Sequence, residues 1–558
     1  MKRFLSVVLT GLIAMSMAAC SNGGKAETLT GVGKGIGGEL KVEVKKEGDK
    51  IVSVKVTEHK ETEGIADPAL KDIPAAIVKA NSTDVDVVSG ATVTSKAILA
   101  AVNNALDPKK YPAPKKEEAS SGSVTAADVY QGFGITSVPR VGPRKDDTDT
   151  QVYSFNEVFA NVLFDGEGKI LSLYIDQLEV ATPNYDGDGM PHFSGYPGQG
   201  GYNNDANHDE KIDGKTADTE ERFIEEIKGW VTKRDRGEKY IVGSSTWTAQ
   251  MEAFEKLFTG MTVEEVEAWF NKYTSDINGR PLKAEAKEEK DKAKYNALND
   301  SEKKELADVT SGATMSLKDP HGDVIGAIKN AYENRIPLEI KGAAKQGLGL
   351  NFMPRIGPGK DDTGTQVYSI NQVFANTLFD KDGKIVALHI DQLEFATPNY
   401  DGDGMPHLSG FPGQGGYNND ANHDEKVDGK TADTEEQFTS EVNSWVTKRA
   451  RGDKYIVGAS TWTDQIEVFE KLFVGKTVEE VETWFKKYTS DINGRPLKAE
   501  AKEEKDKTKY DALTDSEKKE LADVTSGATM SLNDPHGDII AAIKNSLKSA
   551  REINLEIK

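Results

Sequence analysis

The chain has 558 residues, with 70 Lys and Arg against 92 Asp and Glu, a formal charge of −22. A surface this acidic repels phosphate polymers and argues against nucleic acid as a partner. The length fits about three or four domains, and although apolar residues make up only 37%, the 17 Tyr, 19 Phe and 6 Trp point to folded cores rather than disorder.

At the N-terminus, Lys2 and Arg3 precede an apolar run from Phe4 to Ala19 that ends in small residues before Cys20. That is the pattern of a secretory signal, too short and wrongly flanked for a typical spanning helix. Small residues directly before a Cys resemble a bacterial lipobox. The resemblance implies a signal peptide over 1–20, a diacylated Cys20 and a protein anchored by lipid on the extracytoplasmic side of the cell membrane. The plainer alternative is a secreted protein with an incidental Cys. Cys20 is the only cysteine; with it lipidated, disulfides, CxxC redox pairs, iron–sulfur clusters and CxxCH haem attachment are excluded. Residues 21–28 read as a polar tether.

A first domain is expected over 29–107. Leu40 to Val44 and Ile51 to Val56 alternate around a Gly48-Asp49 turn, the mark of a hairpin with one buried face. A helix over 67–80, a short strand over 84–88 and a helix over 96–106 follow. Residues 108–124, rich in Pro, Lys, Ser and Gly, form a linker. Beyond it the chain repeats itself: Lys145, His192, Trp230, Trp247 and Thr314 recur as Lys360, His407, Trp445, Trp462 and Thr529, each 215 residues on. The two units span 125–340 and 341–558, a duplication of a whole domain rather than a solenoid. Each opens with a hairpin (158–175 and 373–390) and closes with a short strand. Between hairpin and end each carries an insertion of roughly 100 residues, longer than an ordinary connection.

One phrase occurs in all three domains. Ser89-Gly90-Ala91-Thr92, Ser311-Gly312-Ala313-Thr314 and Ser526-Gly527-Ala528-Thr529 each follow an Asp (Asp86, Asp308, Asp523) six residues before the Thr, and each precedes an apolar-periodic helix. Gly and Ala permit close backbone approach. A helix start behind such a loop offers unpaired N–H groups to a phosphate, with a threonine hydroxyl beside it. The alternative is that Ser89 or Thr94 simply caps the helix.

Hairpin plus D-x-x-S-G-A-T resembles the FMN-binding domain of the covalently flavinylated subunits of Na+-translocating NADH:quinone reductase and the Rnf complex. The lipobox with repeated domains is most similar to PplA-type flavin lipoproteins of extracellular electron transfer. The resemblance implies an α+β fold of three FMN-binding-type domains, each an antiparallel sheet with packed helices. It implies up to three FMN groups joined through phosphate to Thr92, Thr314 and Thr529 by an ApbE-type FMN transferase, with the Asp, Ser, Gly and Ala of each motif as its recognition signal. After the Thr the copies diverge, Val93-Thr94-Ser95 against Met315-Ser316-Leu317 and Met530-Ser531-Leu532. The role implied is an electron carrier between a membrane NADH dehydrogenase or quinol and extracellular acceptors, with no catalytic side chain.

The insertions hold Asp205, Asn207, Asp209 and Asp213, repeated as Asp420, Asn422, Asp424 and Asp428. Oxygens at positions 1, 3, 5 and 9 fit either a Ca2+ loop or a turn-rich loop using Asp and Asn for positive φ. Trp230, Trp247 and Trp269 are expected in cores rather than stacked on a cofactor. Rival readings are a surface flavin reductase of an organic acceptor and a Ca-dependent surface-binding lipoprotein.

Overall fold

The computed structural model describes all residues except 1–25, 36–37, 60–65, 89–90, 114–123, 127, 147–148, 183–184, 186–188, 198–202, 205–213, 216–218, 244, 339–341, 362–363, 399, 401–403, 413–417, 420–428, 431–433, 459 and 558. The expected signal peptide, Cys20, Ser89, Gly90 and all eight Asp and Asn of the proposed Ca2+ loops lie outside the described residues. The chain divides into two compact units, Met1–Ser120 and Ser121–Lys558, so the two long repeats share one body.

In the first unit, strands β1 (Ala26–Gly35), β2 (Gly38–Glu47) and β3 (Lys50–Glu58) form an antiparallel meander. The expected hairpin is β2–β3; β1 is an additional strand. Helix α1 (Asp67–Ala80) has the expected bounds, whereas the expected strand over 84–88 is irregular and α2 runs Thr92–Leu106. The alternation of β2 turns Leu40, Val42 and Val44 inward onto Ile73 and Ile77 of α1 and Ile98 and Val102 of α2. Two glycines of β1 let α2 approach. A Cβ on Gly31 would lie 2.0 Å from Ala101 O, and one on Gly33 2.1 Å from Ala97 O.

The second unit runs through one element order twice. The first pass is β4 (Val124–Ala126), β5 (Val129–Lys145), β6 (Gln151–Asp165), β7 (Ile170–Ala181), α3 (Glu220–Lys228), α4 (Trp247–Phe258), α5 (Val263–Tyr273), α6 (Glu289–Asn296), α7 (Asp300–Gly312), α8 (Val324–Glu333) and β8 (Ile336–Leu338). The second is β9 (Gly342–Lys360), β10 (Gln366–Phe379), β11 (Ile385–Ala396), α9 (Glu435–Asn443), α10 (Trp462–Phe473), α11 (Val478–Tyr488), α12 (Glu504–Asp511), α13 (Asp515–Gly527), α14 (Ile539–Lys548) and β12 (Arg551–Ile557). Each pass builds an antiparallel meander, β5-β6-β7 or β9-β10-β11, edged by its own closing strand; β4 joins the second sheet in parallel beside β12. The glycine approach of the first unit returns. A Cβ on Gly132 or Gly134 would meet Ala331 O or Ala327 O at 1.9 Å, and on Gly347 or Gly349 Ser546 O at 1.8 Å or Ala542 O at 1.9 Å. Any side chain there would push the helix off its sheet.

The central strands are buried on both faces. Val158, Ala160, Val162 and Phe164 of β6 face the helices of their own repeat. Phe155 and Phe159, one residue out of phase, face the other repeat and pack with Ile370 and Phe374 of β10 in a shared aromatic core. Period-two alternation with apolar residues on both sides describes a strand between two layers. Contacts across this core are reciprocal: Tyr153 OH donates to Glu435 Oε1 (3.3 Å) and Tyr368 OH to Glu220 Oε1 (3.2 Å). Each is the other displaced by 215 residues, as an internal pseudo-twofold requires. Glu157 and Gln372 also occupy equivalent positions and meet each other, Gln372 Nε2 donating to Glu157 Oε2 at 2.8 Å.

Burial pushes the Glu157 carboxyl up to about 8 from an ordinary 4.5, and the Gln372 bond offsets this only in part. The folded protein therefore holds a proton that the unfolded chain releases, and the second unit loses stability as pH rises from about 4.5 to about 8. Glu157→Gln removes this contribution. Urea unfolding from about pH 5 to about 9 should show the variant gaining on wild type as pH rises; parallel curves would contradict the assignment.

Candidate functional site

The three S-G-A-T motifs sit in two different settings. In the first unit Ala91 is the N-cap of α2 and Thr92 its first residue. Ala91, as the N-cap, has no side chain that could cap the helix, and Ser89 of the capping alternative lies outside the described residues. Instead Ser95 Oγ accepts Val88 N–H (3.1 Å) and donates to Ala91 O (2.8 Å), tying the loop to the helix. Asp86 is exposed.

In the second unit the motif closes a helix instead of opening one, which corrects the expectation of a loop at a helix start. Asp308, Ser311 and Gly312 lie in the last turns of α7, whose N-terminus is fixed by an Asn299–Glu302 capping box; Ala313 is the C-cap and Thr314 follows. Asp523, Ser526, Gly527, Ala528 and Thr529 repeat this at the end of α13. The next helix, α8 or α14, starts ten residues after the threonine, beyond a tight hairpin. A helix C-terminus disfavours an anion by roughly 0.3–1 kcal/mol, so the backbone setting of these two threonines differs from that of Thr92.

A buried glutamine holds each of these threonines. Gln250 Oε1, on α4, accepts Thr314 N–H at 2.8 Å, Met315 N–H at 3.1 Å and the Thr314 hydroxyl at 3.4 Å, while its Nε2 donates to Val242 O at 2.6 Å. Gln465 on α10 does the same for Thr529 N–H (2.9 Å), Met530 N–H (3.1 Å) and Val457 O (2.6 Å). The Asn278-Gly279 turn presses against the chain just after the motif. Gly279 has φ +62°, and a Cβ there would lie 2.3 Å from Lys318 O.

Beside Met315 and Ser316 opens a cleft of about 570 Å³, lined by Gln177, Lys233, Tyr240, Trp247, Arg280, Asp319 and His321 among others. Eleven of its twelve lining residues recur 215 positions on; the twelfth, Val324, becomes Ile539. Trp247 was expected in the core and is buried at 2% exposure, yet its edge also lines the cleft. In the second repeat Thr529 lines a separate polar cleft with Arg495, Lys498 and Lys502 and the carboxylates Glu500, Glu503 and Asp506.

At the base of the first cleft Lys233 Nζ pairs with Glu179 Oε2 (3.1 Å), whose Oε1 takes Arg140 Nη1 (2.7 Å). Lys448, Glu394 and Arg355 form the same cluster in the second repeat at 3.0 and 2.8 Å. Burial opposes the charge on Glu179, but Lys233 and Arg140 outweigh it and bring the carboxyl down to about 2. Sequence reading missed Gln250, Lys233, Tyr240 and Arg280 and their repeats. Their only sequence signal is identical recurrence at the 215 offset. Trp230 and Trp269 are core, as expected, and Tyr196 joins Trp230 there. Among the described residues no cluster of His, Cys, Asp and Glu could hold a metal, and no helix is long and apolar enough to cross a membrane.

Residues 35–107 match the family described as FMN-binding domain. The match lies within the first unit. The chain is also 36% identical over 221 residues to a chlorophenol reductase of Desulfitobacterium hafniense, covering 38% of this chain and 59% of that one. It shares 45% identity over 78 residues with an NADH:acrylate oxidoreductase of Vibrio harveyi (14% and 8%) and 40% over 92 with a urocanate reductase of Eggerthella lenta (16% and 15%). The chain thus spans less than two thirds of each relative. These matches support a flavin-dependent redox role.

Gln250→Leu should leave the Thr314 and Met315 amides without an acceptor, at a cost of about 1–3 kcal/mol. Hydrogen exchange should show those amides opening faster while Thr529 and Met530 are unchanged; unaltered protection at Thr314 would refute the clamp.

Proposed function

We propose that this chain is a membrane-anchored extracytoplasmic electron carrier. In this reading FMN is esterified through phosphate to Thr92, Thr314 and Thr529, and each of the three sheet-and-helix units is an FMN-binding-type domain. The observation that carries the reading is the cleft beside Met315 and Ser316, next to the clamped Thr314 and bordered by Arg280, Tyr240, Trp247 and the buried Lys233 cluster, all of which recur in the second repeat. These residues fit the group. Arg280 and Arg495 would meet the phosphate, Tyr240 and Tyr455 would border a flat ring with Trp247 and Trp462 packed behind, and Lys233 and Lys448 would place charge beside it. When bound, FMN supplies one- and two-electron chemistry.

The protein's own contribution is to fix and shield. Gln250 and Gln465 hold the threonine backbone still, and a covalent link keeps the cofactor from the medium. Asp308, Ser311, Asp523 and Ser526 are exposed, which suits recognition by an ApbE-type transferase. Lipidation at Cys20, a membrane NADH dehydrogenase or quinol donor and an extracellular acceptor complete the proposal. The relatives' names favour a second reading, in which the flavins reduce an organic acceptor and the protein turns over with one substrate.

Co-expression with an FMN transferase should give a protein whose intact mass carries three flavin additions and whose colour survives acid precipitation. Thr92→Ala, Thr314→Ala and Thr529→Ala should each remove one addition. An unmodified wild type, or full loading of the triple variant, would reject the carrier.

A further inference from the structure

Both long repeats bury a lysine, Lys233 beside the cleft and Lys448 at the equivalent position, and among the described residues the first unit buries none. Lys233 is 3% exposed and lines the cleft, and its backbone N–H is fixed to Gln177 O at 2.7 Å. Glu179 neutralises one of the two cations beside it, so the Lys233–Glu179–Arg140 cluster keeps one net positive charge. Arg280 adds another at the mouth, while Asp319 carries the opposing carboxylate and pairs with His321 at 3.0 Å. Lys448, Glu394, Arg355, Arg495, Asp534 and His536 reproduce this arrangement. Among the described residues of the first unit the buried polar side chains are Thr94, Ser95 and Asn104, and no lysine or arginine is buried.

A flavin that takes up two electrons and one proton from a reduced donor gains one negative charge. A cation held in a partly desolvated cleft favours that form far more than one in water. Resting on the carrier reading above, we propose that the Lys233 and Lys448 clusters set the flavins on Thr314 and Thr529 at a higher reduction potential than the flavin on Thr92. Electrons shared among the three then come to rest in the second unit: a reduced flavin on Thr92 is oxidised as one on Thr314 or Thr529 is reduced. The near-identity of the two clefts makes the latter pair close in potential.

The test uses the full chain loaded by the transferase. Thr92→Ala leaves flavins only in the second unit, and Thr314→Ala with Thr529→Ala leaves one only in the first; intact mass establishes the loading of each before titration. Spectroelectrochemical titration should place the Thr92→Ala midpoint above that of the double variant. Lys233→Met with Lys448→Met, in the Thr92→Ala chain, should lower the midpoint, and Lys233→Arg with Lys448→Arg should retain it. Equal or reversed midpoints in the first comparison, or an unmoved midpoint in a methionine variant carrying two flavins, would overturn the proposal. Missing flavin additions would instead refute the carrier reading beneath it.

Discussion

The second unit depends on sheets that have no solvent face. The odd-numbered residues of β6 must satisfy the other repeat while the even-numbered ones satisfy their own helices, so neither repeat can be removed without exposing Phe155, Phe159 and Phe374. That constraint turns a duplication into one body with an internal pseudo-twofold. It also explains why a carboxyl at Glu157 tolerates full burial: its neighbour is its own counterpart, changed to Gln372, so one donor meets one acceptor rather than two like charges.

Rigid sheets in turn hold the clefts. Strand β7 supplies Gln177 and Glu179, and α4, capped by Thr246, supplies Trp247 and Gln250. Glu255 ties α4 to β7 by accepting Ile175 N–H at 2.6 Å. The same motif therefore stands in two electrostatic settings. At Thr92 it lies at a helix start, where backbone dipoles favour an anion; at Thr314 and Thr529 it lies at a helix end, where they do not. A recognition sequence read as a short peptide can be satisfied in both, since its Asp is exposed in each.

The hairpins were legible because alternation flanks Gly-containing turns at 48, 168 and 383, all with positive φ. The first strand of each meander was not. Gly132, Gly134, Pro139, Gly142 and Pro143 interrupt the alternation of β5, and of these Gly132 and Gly134 serve helix approach. The motif's helical setting in the repeats was masked by Gly312, which ends α7 as its last residue. The motif threonines, by contrast, stood out through threefold repetition; Thr529 lines a cleft and Thr314 immediately precedes the lining residues Met315 and Ser316 of another. The cleft walls come from 177, 233, 247, 280 and 321, brought together only by tertiary folding.

The central claim is that a threonine hydroxyl next to each described cleft is the point of covalent attachment. Peptide mapping of protein from cells containing the transferase tests it most directly. The account predicts flavin phosphate on the peptides bearing Thr314 and Thr529, in equal proportion as their matched clefts require. Bare threonines at both, in a sample whose Thr92 is modified, would contradict it.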